Sequence, residues 1–486
     1  MLYFLGVMLA YLREYIAQLF SKDGPPAGYA PLFTDFDSFW LRRLYVRISD
    51  CWNRPISSGA GPWIDVVKRR QKGLYSLDYA LTDETIHCLN LASYNYLGFG
   101  NGHPKCNQAL TKYTKQYSVN LGSSRMEMGS TPLHREVEAL VARFVGKEDA
   151  VVFGMGYATN STSIASIMGP GSLIISDQLN HASLVVGCRS SGARVRVFRH
   201  NDPVHLEKVL RDAIIQGQPR TRRPWSKILV LVEGIYSMEG AILELPEILR
   251  ITKKYKAYIY VDEAHSIGAL GPRGRGVCDY YNIDPREIDI LMGTFTKSFG
   301  SAGGYIAANK EIIDSIRASS FANVYDHTMS PGTLAQVLSS MSIIMDEPEG
   351  KERISRLRNN TNMLRKGLAD RGFQIYGNDN SPVIPLMLIQ PSRMALFSRL
   401  CLENGLAVTV VGYPATSLLL ARARLCVSAA HSTQEIDQAL AKIDDIGDLC
   451  LLHFARPWSE TFKRFFHTPT VKPIFQRPPA DGLAMD

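Results

Sequence analysis

Lys297 stands between Gly293-Thr-Phe-Thr296 and Ser-Phe-Gly300-Ser-Ala-Gly-Gly304, a primary amine in a turn of glycines and hydroxyls. Such an amine attacks a carbonyl only when neutral, so its reference pKa of about 10.4 has to be lowered by burial or nearby cations. Four more titratable side chains, His181, Glu233, Asp262 and His265, each follow a short apolar run. An amine, a carboxylate and histidines together suit pyridoxal phosphate. Lys297 would take its aldehyde as a Schiff base. Asp262, 35 residues earlier, would keep the ring nitrogen protonated so that the ring withdraws electrons. A buried carboxylate also needs a partner, and His265 can orient it or reach the ring's phenolic oxygen. The phosphate needs backbone donors at a helix start. Gly154-Met-Gly156-Tyr157 offers these, and Thr294 and Thr296 add hydroxyls.

Other chemistries fit less well. A P-loop needs its glycines before the lysine, and here most of them follow it. Gly154-x-Gly156 lacks the third glycine of a dinucleotide fingerprint, which leaves a nicotinamide dehydrogenase as the competing enzyme class. Asp262-Glu263 could be a metal carboxylate of the Walker-B kind, but no P-loop precedes it and no metal is expected. Taken singly, each histidine reads as structural and Lys297 as a solvated loop residue; together they make that reading a run of coincidences.

The elements that must position these residues alternate. Ala150–Phe153, Leu173–Asp177, Lys227–Val232, Tyr258–Val261 and Ile288–Met292 read as buried strands separated by helical stretches. That order predicts an α/β fold, a doubly wound, mainly parallel sheet with its ligand beyond the strands' carboxyl ends. A smaller C-terminal α+β domain follows, with a basic helix from about Asp346 through Arg371. Its strands are expected at Val383–Ile389, Ala407–Val411 and Arg424–Ser428, and its last helix opens on the capping box Ser432-Thr-Gln-Glu435. The expected divisions are 1–24, an apolar membrane or partner segment; 25–104, an arm and linker; 105–345, the large cofactor-binding domain; 346–453, the small domain; and 454–486, a Pro-rich tail carrying Phe462-Lys-Arg-Phe-Phe466.

Among 486 residues, 45% are hydrophobic and 21% charged, the balance of a globular chain long enough for a large and a smaller core. The net charge of +8 reads as spread along the chain without a long Lys/Arg run, which disfavours nucleic acid and suits an anionic cofactor, an acyl-CoA or an acidic membrane face. Eight cysteines, far apart and without CxxC, read as reduced thiols facing a cytosol. Met1–Leu12 is apolar but stops at Arg13, short of the roughly 20 residues that span a bilayer, so it reads as an interfacial or docking helix.

Asp262-Glu-Ala-His265, Glu233-Gly-Ile-Tyr-Ser-Met-Glu-Gly240, Asn180-His-Ala-Ser183, Ser93-Tyr-Asn-Tyr-Leu-Gly98 and Gly293-Thr-Phe-Thr-Lys297 resemble the α-oxoamine synthases. These fold type I pyridoxal phosphate enzymes condense an amino acid with an acyl-CoA. The resemblance runs over roughly residues 28 to 450. It implies that Lys297 carries the cofactor, that Asp262 pairs with the pyridinium nitrogen and that His181 stacks on the ring. It also implies Ser237 and His265 near the phenolic oxygen, Gly156, Tyr157 and Thr294 on the phosphate, and Asn95 and Arg424 on the substrate carboxylate. Arg424 has a warrant of its own, since a planar fork in a strand-like stretch matches a carboxylate. The implied reaction is the decarboxylative condensation of L-serine with palmitoyl-CoA. The implied partner is a homologous subunit lacking the lysine, in an endoplasmic reticulum membrane complex with its catalytic face in the cytosol. A weakly active or regulatory subunit of that complex, or another α-oxoamine synthase, is the alternative. One departure stands out: Tyr325-Asp-His327-Thr328 occupies the place of a Tyr-x-Thr-Ser-type segment that reaches a neighbouring subunit's phosphate.

Overall fold

Short aliphatic runs, most of them buried on both faces, build the sheet that organises this protein. The computed structural model describes residues 8–9, 11–12, 15–16, 28–30, 39–73, 76–417 and 419–456. Most of the expected N-terminal segment, and the tail with Phe462–Phe466, lie outside the described residues. No helix among the described residues is long and apolar enough to cross a membrane. The chain divides into two compact units. One comprises residues 1–57 and 65–87 and holds most of strands β1 (Trp63–Gln71) and β2 (Tyr79–Asn90); the other comprises 58–64 and 88–486.

The second unit contains β3 (Asp149–Phe153), β4 (Leu173–Asp177), β5 (Arg194–Phe198), β6 (Ile228–Glu233), β7 (Tyr258–Asp262), β8 (Ile290–Thr294) and β9 (Gly304–Ala308). They form a seven-stranded sheet in the order β3-β9-β8-β7-β6-β4-β5. Neighbours from β5 through β8 are parallel, and β9 is antiparallel to both β8 and β3. Alternate residues of each strand enter different cores: Val230 and Val232 pack on one face, Leu229 and Leu231 on the other. That period of two, with both faces covered, is why these strands read as continuous apolar runs.

The mainly parallel, doubly wound sheet is as expected, with β5 and β9 added. β9 changes the meaning of the glycines after Lys297. They reverse the chain so that it returns beside β8, with Gly300 at φ 60° and Gly303 at φ 90°. A Cβ on Gly303 would lie 2.2 Å from the Phe153 carbonyl oxygen, so this turn admits no side chain there. β8 also starts and ends two residues later than expected, which leaves only Phe295 and Thr296 between its end and the lysine.

Toward the C-terminus, β10 (Val383–Ile389), β12 (Thr409–Val411) and β13 (Ala421–Cys426) form an antiparallel sheet in the order β10-β13-β12. The single strand expected at Ala407–Val411 is split: β11 (Leu406–Ala407) instead pairs with Leu89 and Asn90. Arg424 lies inside β13 rather than at a strand's start. The basic helix is Pro348–Asp370, which Glu347 alone separates from the helix Pro331–Asp346. Ser432 and Glu435 form the reciprocal capping box that opens the helix Thr433–Cys450. All eight cysteines are buried thiols and no disulfide forms.

Candidate active site

Register brings the strand ends together. Glu233 pairs with Asp262 across β6 and β7, Asp262 with Met292 across β7 and β8, and Thr294 with Gly304 across β8 and β9. The crevice beyond them holds about 300 Å³ and is lined by Met155, Gly156, Tyr157, Asn160, His181, Ser183, Glu233, Asp262, Ala264, His265, Met292, Thr294, Thr296 and Lys297.

Asp262 is buried, and its oxygens are assigned. One accepts from the Asn160 side-chain amide at 2.7 Å and the other from the Ala264 backbone N–H at 2.8 Å. Asn160 is itself held, accepting from the Tyr260 hydroxyl at 2.7 Å and donating to Ser183 Oγ at 3.0 Å. The carboxylate is therefore fixed in direction before anything binds.

Lys297 has a pKa lowered to about 8, chiefly by burial and further by Arg424, against the opposing pull of Asp262 and Glu233. At pH 7 this raises the neutral fraction from about one in 2,500 to about one in ten. Its Nζ lies 5.5 Å from the centre of the Tyr94 ring. The Arg424 guanidinium carbon lies 4.4 Å from the centre of that same ring. Arg424 is buried, its Nε has no hydrogen-bond partner among the described residues, and its Nη1 lies 3.9 Å from the Met238 sulfur. A buried guanidinium facing an aromatic ring and a thioether, with no ion-pair carboxylate among the described residues, is a charge held ready for an anion.

His181 caps the helix Ala182–Ser190 through its side chain. Its backbone N–H donates to Glu233, and its Nδ1 meets Ser183 Oγ at 2.8 Å. Burial and Lys297 lower its pKa, which favours the neutral ring. The pKa of Glu233 is pushed well up by burial and by Asp262. His265 Nδ1 meets the Tyr96 hydroxyl at 2.8 Å; burial and the cations Lys297 and Arg424 take its pKa well below the usual histidine range.

On the far side, the helix Gly156–Ile167 points its free N-terminal amides into the crevice; the first helical bond there is Thr159 N–H to Met155 O. A Cβ on Gly156 would come within 2.9 Å of Thr294 Oγ1, so this glycine keeps the cradle open. Thr294 Oγ1 lies 2.8 Å from Thr296 Oγ1 and 2.9 Å from the Gly303 carbonyl oxygen. An amine, a fixed carboxylate and an anion-binding helix start thus border one cavity, and that donor set fits pyridoxal phosphate.

Three expected residues, Asn95, Ser237 and Arg424, are not among the side chains that line the crevice; Arg424 stands behind it, over the Tyr94 ring. The Asn95 amide donates to the Ala60 carbonyl at 2.8 Å and accepts from the Gly100 N–H at 3.1 Å. Those backbone bonds hold it in the wall, so the structure does not bring it into the crevice lining. Ser237 lies half-buried on the loop after β6, outside that lining. Sequence reasoning gave no role to Asn160, Tyr94 or Tyr96. Asn160 could have been found one helical turn after Gly156, on the same face. The tyrosines flank Asn95 and carry no signal of their own.

The chain matches the class I and II aminotransferase family over residues 86–443. It is 56% identical over 450 residues to serine palmitoyltransferase 2 of Dictyostelium discoideum, covering 91% of each chain. It is 50% identical over 451 residues to long chain base biosynthesis protein 2b of Arabidopsis thaliana, covering 91% of this chain and 92% of that one. Serine palmitoyltransferase 3 of Homo sapiens is 47% identical over 465 residues, covering 93% of this chain and 84% of that one. Among solved structures, a serine palmitoyltransferase from S. paucimobilis with bound PLP and myriocin superposes with a TM-score of 0.75 at 28% identity, covering 87% of this chain and 99% of that one.

Proposed function

The chain belongs to the class I and II aminotransferase family, in the group of the serine palmitoyltransferases, and on that premise we propose a specific reaction for its crevice. It is a pyridoxal-phosphate-dependent acyltransferase, the catalytic subunit that condenses L-serine with palmitoyl-CoA. The serine carboxylate leaves as CO2, the thioester C–S bond breaks, a C–C bond forms, and CoA and 3-oxosphinganine are released, the first step of sphingolipid biosynthesis. The observation that carries this reading is Arg424, a buried cation without a carboxylate partner among the described residues, which shares the Tyr94 ring with the Lys297 amine.

Pyridoxal phosphate, when bound, supplies an aldehyde for the amino group and a ring that takes up the electron pair left at Cα. Lys297 would hold that aldehyde, Asp262 the ring nitrogen, and His181 the ring face. His265 would stand toward the phenolic oxygen, and Gly156, Tyr157 and Thr294 toward the phosphate. Arg424 binds the serine carboxylate through its planar fork and so orients Cα. When not holding the aldehyde, the Lys297 amine would accept the Cα proton and later return one. A pKa of about 8 suits it to both tasks. The neutral forms favoured for Glu233 and His181 limit the charge competing with Asp262.

The partner in this reading is a homologous subunit that lacks the lysine. It is supported by a solvent-facing group, Val119, Met126, Met128, Phe321 and Tyr325, brought together by the Ser124–His327 bridge and by the Ser330 Oγ bond to the Val119 carbonyl. Exposed apolar side chains gathered in this way suit a protein contact. The complex is placed on the endoplasmic reticulum membrane with this subunit facing the cytosol, a reading supported by eight thiols that form no disulfide.

The test is co-expression with such a partner and mass analysis of the product from serine and a series of acyl-CoAs. The expected product is 3-oxosphinganine, absent from Lys297→Ala. Turnover of glycine or alanine in preference to serine would overturn the assignment.

A further inference from the structure

The formal charge is not spread evenly. Residues 186–227 contain ten Lys and Arg against three Asp and Glu, an excess of seven, whereas the whole chain carries +8. This stretch runs through the end of the helix Ala182–Ser190, the edge strand β5, the helix Pro203–Gln216 and the loop that returns to β6, with Arg194, Arg196 and that second helix on the same face of the sheet. Arg196 Nη2 bonds Gln216 Oε1 at 2.6 Å and so ties the strand to the end of the helix. Two of the three acids are already engaged, Asp202 with Arg199 at 2.8 Å and Glu207 with Lys254. Arg189, Arg194, Lys208, Arg211, Arg220, Arg222 and Arg223 are exposed, and none has an ion-pair partner among the described residues.

The apolar residues decide what such a face meets. Val204, Lys208, Arg211 and Ile215 follow one another at spacings of four, three and four, a single outward stripe of the helix. Val204 is 78% and Ile215 76% exposed. A solvated helix face would carry polar groups at those places. Protection of a sheet edge would account for Arg194 and Arg196 but not for cations on the helix and the loop. Nucleic acid would call for aromatic rings to stack on bases, and the only aromatic side chain in the loop, Trp225, turns inward to donate to the Ala213 carbonyl at 2.9 Å. We propose that this face docks on an anionic phospholipid surface, with the Lys and Arg heads among the headgroups and Val204, Ile214 and Ile215 entering the acyl boundary. The inference is independent of the reaction assigned to the crevice.

The test uses the full chain co-expressed with its partner. It is sedimented with phosphatidylcholine vesicles, or with vesicles in which about a quarter of the lipid is phosphatidylserine. Wild type is expected to prefer the anionic vesicles and to lose that preference as salt rises. Lys208→Glu with Arg211→Glu should weaken anionic-vesicle binding by about tenfold or more. Val204→Ser with Ile215→Ser should weaken it as well, while leaving the salt dependence in place. Acyltransferase activity in detergent stays at the wild-type level in both variants and reports that they fold. Unchanged vesicle binding in both variants would assign any membrane affinity to other parts of the complex and overturn the proposal. So would binding to phosphatidylcholine alone that matches binding to the anionic vesicles, or variants that lose single-stranded RNA binding while keeping vesicle binding.

Discussion

The guanidinium of Arg424 lies over the ring of Tyr94, its central carbon 4.4 Å from the ring centre. The Lys297 amine approaches the same ring at 5.5 Å. In the proposed reaction Tyr94 would be a positioning residue, holding the cation assigned to the serine carboxylate at a set distance from the amine assigned to the Cα proton. A desolvated cation–π contact contributes about 1–2 kcal/mol. Tyr94→Leu should therefore raise the KM for serine by about 5- to 30-fold with a smaller change in kcat. Tyr94→Phe keeps the ring and should remain near wild type. Steady-state kinetics over serine concentration check this, and equal losses in both variants would point to the hydroxyl instead.

Lys297 in the cofactor-free protein should show its depressed pKa directly. Only the neutral amine captures an aldehyde. Below a pKa of about 8, the rate of reconstitution with pyridoxal phosphate should fall about tenfold per pH unit, and above it the rate should level off. Burial and Arg424 disfavour the charged amine, while Asp262 and Glu233 favour it. Arg424→Gln therefore moves the midpoint upward, and Asp262→Asn moves it downward. Stopped-flow absorbance between pH 7 and 9 measures both shifts.

Asn160 donates to Asp262 at 2.7 Å and accepts from Tyr260 at 2.7 Å. Asn160→Leu removes a hydrogen bond to a carboxylate, about 2 kcal/mol, and leaves the Tyr260 hydroxyl without its acceptor. Affinity for pyridoxal phosphate should fall about 30-fold by equilibrium titration of the cofactor-free protein. Lys297 is untouched, so the covalent bond should still form at saturating cofactor.

What could be read in the sequence was what depends on local pattern. Apolar runs ending in Asp262 or Glu233 marked the strands, and parallel strands with helical crossovers place their carboxyl ends on one side. Register was not legible, and register is what sets Glu233 opposite Asp262 and returns β9 beside β8. Roles that depend on side-chain direction were also hidden. Asn95 and Tyr94 are adjacent, yet one bonds the backbone of Ala60 and Gly100 while the other faces the two cations. The charge asymmetry lay in the sequence throughout, but only the placement of β5 at a sheet edge turns it into a face.

Glu138 shows how the β3 side of that sheet is held together. It is 2% exposed, and it accepts from Arg125 at 2.9 Å and Arg135 at 3.2 Å, lies 3.4 Å from Arg317, and takes the Val152 N–H at 3.3 Å. Arg317 also binds Asp149 at 2.6 Å and the Ala150 carbonyl at 2.7 Å, so a single carboxylate joins the helix Pro132–Val145, β3 and the helix Lys310–Ser319. Removing one partner of a buried ion network leaves the others desolvated and uncompensated, at a cost of about 3–5 kcal/mol. Arg125 is the residue exposed to that cost, because its side chain is only 7% accessible. Glu138→Leu should therefore lower the thermal midpoint by several degrees. Glu138→Leu with Arg125→Met should recover part of the loss, because the orphaned charge goes with it. Calorimetry on the four combinations gives the coupling, and simple additivity would mean that the two side chains act independently.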